Sequence, residues 1–182
     1  MEESQIIPDI IERAPPQELQ VSYGRLKVHL GNELTPTQVK AKPTVHWNAE
    51  HYAFYVLSMT DPDVPSRDDH EWREFSHWMV GNILGDKINN GEVITEYVGA
   101  GPLNGTGLHR YVFMVFKQPG KINFTEPHAD KNTLDGRPQF STKEFAERYN
   151  LGDPIAGNFF QAKYDDYVPT IHEQLGTDLE KK

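Results

Sequence analysis

The chain has 182 residues, carries 18 Lys and Arg against 27 Asp and Glu, and contains no cysteine. That length suits one domain, residues 1–182, able to bury a core of its own, and the net charge of -9 argues against nucleic acid or an anionic membrane surface as a partner. Disulfides and thiolate chemistry are excluded, no apolar run reaches the roughly 20 residues of a transmembrane helix, and the acidic Met1-Glu2-Glu3-Ser4-Gln5 start is unlike a signal peptide, so a cytoplasmic monomer is expected.

In chain order, residues 6–13 predict a short helix, with Pro8 in its first turn and Pro15-Pro16 stopping it. Residues 20–30 alternate, with Leu26, Val28 and Leu30 on one face and Arg25, Lys27 and His29 on the other, which predicts one half-buried strand. A turn at Leu34-Thr35-Pro36 and a short strand at 44–47 follow. Residues 52–60 are strongly apolar and read as a buried strand, as do 75–83. Asn89-Asn90-Gly91 carries a hairpin-turn signature, ahead of a short strand over 93–98. A loop with glycines at 99, 101, 105 and 107 feeds the apolar strand 111–116, and residues 118–138 read as a polar excursion over the surface. Ser141 and Glu144 form a capping box, with Phe140 and Phe145 at the staple positions, so a helix is predicted to about Tyr149. A last strand over 158–164 and a closing helix over 169–175, with Gly176 just past its end, complete the chain. Strands are not regularly interleaved with helices, which speaks for a β core with peripheral helices and against a parallel βαβ sheet.

Chemistry concentrates between the strands. Asp61-Pro62-Asp63-Val64-Pro65-Ser66-Arg67 places two carboxylates at a strand end, with two prolines fixing φ nearby. Histidine 77 lies within an apolar strand, and the glycine loop ends in His109-Arg110-Tyr111, where backbone N–H groups can approach an anion closely. The loop is neither a Walker loop nor a dinucleotide fingerprint, since no Gly-Lys-Ser/Thr and no helix follow it. Each feature alone is more often structural; together they place Asp61, Asp63, His77, His109 and Tyr111 near strand ends.

These stretches, with Arg73-Glu74-Phe75-Ser76-His77, Leu34-Thr35-Pro36-Thr37-Gln38-Val39 and Tyr164-Asp165-Asp166-Tyr167-Val168-Pro169, give the chain its resemblance to the phosphatidylethanolamine-binding protein family. The animal branch, with the Raf kinase inhibitor proteins, is the part of the family it resembles. That resemblance implies a mainly β fold, a large antiparallel sheet packed on a smaller one with peripheral helices. It also implies a small anion pocket formed by Asp61, Asp63, Pro65, His77, Gly101, Pro102, His109 and Tyr111, and a cis peptide before Glu74 or Pro65. Three positions depart from the family pattern. Leu103 stands in place of a second proline, His172 in place of a pocket-closing tyrosine, and Glu144 in place of the serine through which the mammalian kinase inhibitor is switched by phosphorylation.

The resulting expectation is a non-enzymatic protein without metal or cofactor. It would bind phosphatidylethanolamine, or a related phospholipid head group or small phosphate anion, and modulate kinase signalling by docking on a Raf-type kinase. Histidine protonation would strengthen the binding as pH falls. The rival expectation is a metal-dependent or acid–base phosphoester hydrolase using the same carboxylates and histidines.

Overall fold

A computed structural model describes residues 1–177. Its elements are helix α1 (Ile6–Asp9), strands β1 (Gln17–Glu18), β2 (Gln20–Tyr23), β3 (Leu26–Lys27), β4 (Asn32–Glu33), β5 (Thr44–His46), β6 (Phe54–Asp61), β7 (Phe75–Leu84), β8 (Glu92–Thr95) and β9 (His109–Lys117), helix α2 (Thr142–Arg148), strand β10 (Ala156–Ala162) and helix α3 (Val168–Gln174). Seven strands form the large sheet in the order β1-β10-β9-β6-β7-β8, with β4 also on β10, and β3-β2-β5 form the small one. The expected two-sheet, mainly β architecture is present, with one refinement. β10, β9, β6, β7 and β8 pair antiparallel, but β1 and β4 both join β10 in parallel, so the large sheet is mixed.

Both faces of the large sheet are covered, which explains why its strands read as continuous apolar runs. In β9, Tyr111, Phe113 and Val115 point toward the small sheet and pack with Tyr23, Trp47 and Phe160. The alternate residues Val112, Met114 and Phe116 point the other way, against Ile6, Ile11 and Phe145. No helix among the described residues is long and apolar enough to cross a membrane.

Local departures from the sequence expectations have local causes. Gly24, at φ +59, turns the chain, so residues 20–30 are not one strand but the hairpin β2–β3. Val28 is buried, while Leu26 and Leu30 are exposed. The first helix is a single turn that does not reach Arg13, interrupted by extended backbone at Ile7 and by a cis Ile7-Pro8 bond. Asn89-Asn90-Gly91 is no two-residue hairpin turn but the end of a 3₁₀ turn, Ile88–Asn90. The strand expected over 93–98 is Glu92–Thr95, and the last strand begins at Ala156 and stops at Ala162, short of Tyr164. Helix α2 is built as its sequence indicates: Ser141 Oγ accepts the Glu144 N–H at 3.2 Å, and the Phe140 and Phe145 rings lie 5.7 Å apart.

Candidate functional site

Three strands of the large sheet bring chemistry to one edge. β6 ends at Asp61, and its antiparallel neighbours β7 and β9 begin at Phe75 and His109. Asp61, His77 and His109 therefore arrive at the same place from separate strands. The loop before β9 and helix α3 close over them. Gly101 lets the loop lie against the helix, because a Cβ there would stand 3.0 Å from Ile171 Cγ2.

The result is a cavity of about 50 Å³, room for a fragment of a few heavy atoms and far below the roughly 300–1,000 Å³ of sites for drug-sized ligands. Of the nine residues expected at a pocket, Asp61, Pro65, His77, Gly101, His109 and His172 line it. Trp72, Phe75, Leu134, Ile171 and Leu175 supply an apolar wall that the sequence did not mark, and Leu103 is at the wall as well. Asp63, Pro102 and Tyr111 stand behind the lining. Both cis peptides considered from the sequence are present, Val64-Pro65 and Arg73-Glu74.

Asp63 is fully buried and faces a guanidinium. Its carboxylate accepts the Arg110 backbone N–H and Nε–H, both at 2.9 Å, and Nη2–H at 2.7 Å. Burial alone would push the Asp63 carboxyl up, but the bonds and charge of Arg110 hold it below its ordinary range. Arg110 also donates to Asp9 Oδ2 at 2.8 Å and to the Ser4 carbonyl at 3.0 Å, so this arginine neutralises Asp63 behind the cavity and is no anion ligand within it.

Asp61 is turned to the other partner. Its Oδ1 accepts the Asp63 N–H at 2.7 Å, and its Oδ2 accepts from His109 Nδ1 at 2.8 Å. His109 Nε2 meets Thr106 Oγ1 at 2.7 Å, and the single proton of that hydroxyl goes to the Leu103 carbonyl, also at 2.7 Å. Thr106 must then accept, so both ring nitrogens of His109 carry protons. Burial opposes the imidazolium, but the charge and hydrogen bond of Asp61, with the charge of Asp63, outweigh it and raise the His109 pKa. His77 is the opposite case. Nδ1 donates to the Val98 carbonyl at 2.8 Å, and burial pushes its pKa down to about 4. Protonation of His77 therefore cannot supply the expected gain in affinity between neutral and mildly acidic pH. His172 Nε2 donates to the Gly101 carbonyl at 3.0 Å, fastening α3 to the loop. The Tyr111 hydroxyl is buried beside Asp61 and, among the described residues, finds no hydrogen bond of good geometry; burial and that neighbouring charge push its pKa well up.

Two further residues support the site from behind. Glu74 accepts from the hydroxyls of Thr60 and Thr142 and from the Thr142 N–H, at 2.7, 2.7 and 2.8 Å, and ties α2 to the start of β7. Arg137 is wholly buried and donates to five carbonyls, those of Thr133, Ser76, His77, Glu96 and Asp130. Glu74 lies inside the motif that already pointed to the site; Arg137 lies in a stretch with no local signal.

A family model described as phosphatidylethanolamine-binding protein matches residues 24–160. A Drosophila melanogaster protein carried under the name odorant-binding protein A5 is 35% identical over 176 residues, which is 96% of this chain and 84% of that one. Among solved structures, the solution structure of CG7054 is 42% identical with a TM-score of 0.77, covering 93% of this chain and 97% of that chain. Carboxypeptidase Y inhibitor, solved with its cognate proteinase, is 28% identical with a TM-score of 0.77, covering 90% and 93%. A phosphatidylethanolamine-binding protein from Plasmodium vivax, at 23% identity and a TM-score of 0.76 over 90% and 95% of the two chains, shares the fold.

Proposed function

From the premise that the chain belongs to the phosphatidylethanolamine-binding protein family, we propose that its cavity binds a phospholipid head group of the ethanolamine type, or a small phosphate anion, and that the protein is a binding module rather than an enzyme. The observation that carries this reading is the charge balance at the cavity floor. Two aspartates would repel a phosphate, but Asp61 is paired with the His109 imidazolium and Asp63 with Arg110, so an entering oxyanion meets no unpaired carboxylate. The apolar wall suits the first carbons of a ligand that continues outward, while the small volume supports a head group and not two acyl chains.

The test is calorimetric titration of the wild type and His109→Ala with phosphoethanolamine and with inorganic phosphate, in metal-free buffer. Binding by the wild type that is lost in the variant is expected. Binding that appears only after a divalent metal is added would overturn the reading in favour of the hydrolase.

Protein docking is the second part of the proposal. Carboxypeptidase Y inhibitor, a relative at 28% identity, is solved in complex with a proteinase, which supports a macromolecular partner for this chain. A Raf-type kinase is the partner proposed from the family resemblance. Capture of such a kinase by the immobilised protein, weakened by phosphoethanolamine, is the expected result, and no retention in either condition would sink it.

A further inference from the structure

Which form of an oxyanion the cavity can hold depends on whether the groups facing it donate or accept. The histidine N–H groups are already committed. His77 gives its Nδ1 proton to Val98, His109 gives its two to Asp61 and Thr106, and His172 gives its Nε2 proton to Gly101. Among the described lining side chains, His77 Nε2 has no hydrogen-bond partner, and the Asp61 carboxylate keeps lone pairs beyond the two bonds it accepts from Asp63 and His109. An acceptor facing an unprotonated oxygen sets lone pair against lone pair, whereas a P–OH satisfies it.

We propose that the cavity selects its oxyanion by the proton the ligand carries: Asp61 or His77 accepts the single proton of a P–OH, and an oxyanion of the same shape without one is turned away. The inference rests on the head-group reading above and names the form of ligand it takes. For a diester head group, which has no P–OH, the ammonium is the donor that takes this place. The charged and titratable groups that share the cavity with His77 or stand against it are Asp61 on β6, His109 and Tyr111 on β9, His172 on α3, and Arg137 behind β7. Burial, with Arg137 and His109, keeps the ring neutral against the pull of Asp61, so its Nε2 remains an acceptor well below neutral pH.

Three probes separate the ligand's proton from the protein's. Inorganic phosphate carries a P–OH at both about pH 5.5 and about pH 8, and sulfate carries none at either. Methyl phosphate, with a second pKa near 6 like other phosphomonoesters, carries one only at the lower pH. Calorimetric titration of the wild type should show sulfate at least about tenfold weaker than phosphate at both pH values, the scale of one hydrogen bond lost at a buried site. Methyl phosphate should bind comparably to phosphate at the lower pH and at least about tenfold more weakly at the higher one. The ¹⁵N signal of His77 Nε2 should move when phosphate is added. Sulfate matching phosphate overturns the inference and leaves the head-group reading standing. So does methyl phosphate holding its affinity at both pH values, or changing only in parallel with the other two, since a parallel change belongs to a protein group. An unmoved His77 signal overturns the part assigned to that residue. If no probe binds at either pH, the small-phosphate part of the proposed function falls and this inference with it, while the ethanolamine head-group part is decided by the phosphoethanolamine titration above.

Discussion

Two histidines of one cavity are driven in opposite directions, and their effects on stability have opposite signs. His77 has its pKa lowered on folding from 6.5 to about 4. Its contribution is therefore complete above the unfolded value and lost as pH falls toward 4, in all about 3 kcal/mol at 1.36 kcal/mol per unit. His109 is raised on folding. Its contribution is complete below about pH 6.5 and lost as pH rises through its higher folded value. Urea unfolding of the wild type from pH 7 to about pH 4.5 should show an acid limb that is much flatter in His77→Phe, and a variant limb as steep as the wild type's would contradict this. Arg137 poses a different residue-scale question, since among the described residues no carboxylate accepts from it and five carbonyls do. Arg137→Ala strands those buried acceptors and should lower the unfolding free energy by at least about 3 kcal/mol. A urea midpoint close to that of the wild type would show that water replaces the guanidinium without loss.

At the scale of elements, legibility followed the range of the interactions. Helix α2 could be read from Phe140 to Tyr149 because its cap and staple lie within one helical turn of its start. Ser141→Ala should accordingly cost about 1 kcal/mol, read from urea unfolding, and Ser141→Gly less. Strands β6, β7 and β9 were legible as apolar runs, and the motifs at their ends held five residues of the cavity lining, Asp61, Pro65, His77, Gly101 and His109. The small sheet was not legible. Period-2 alternation continues through Gly24 although the chain turns there, so pattern alone placed Leu26 and Leu30 on a buried face that does not exist. Nor did the sequence indicate that Arg110 faces Asp63 while His109 faces Asp61. Adjacent strand residues point to opposite sides of a sheet, and which side meets the cavity is decided by packing between elements far apart in sequence. The apolar wall was missed for the same reason, since Trp72, Leu134 and Ile171 meet only in the folded chain.

At the scale of the whole molecule, one charge network joins the N-terminal segment, the loop after β6 and strand β9. Asp9 holds Arg73 at 2.7 Å and Arg110 at 2.8 Å, Arg110 holds Asp63 at 2.7 Å, and the Ser4 carbonyl accepts from both Arg67 and Arg110. Ile6, buried among apolar side chains, anchors the same segment through packing. The cavity is thus supported from behind by a pair that takes no part in lining it, and the two aspartates of Asp61-Pro62-Asp63 should separate by experiment. Asp63→Ala leaves the Arg110 guanidinium buried without its main partner and should cost about 3–5 kcal/mol, whereas Asp63→Leu with Arg110→Met replaces the pair by apolar volume and should recover most of that loss. The double variant, folded by circular dichroism, should still bind inorganic phosphate within about threefold of the wild type, a change under 1 kcal/mol. Asp61→Ala should lose binding while its fold survives. If the double variant proves folded and stable yet blind to phosphate, Asp63 belongs to the ligand site after all, and the division of labour between the two carboxylates is wrong.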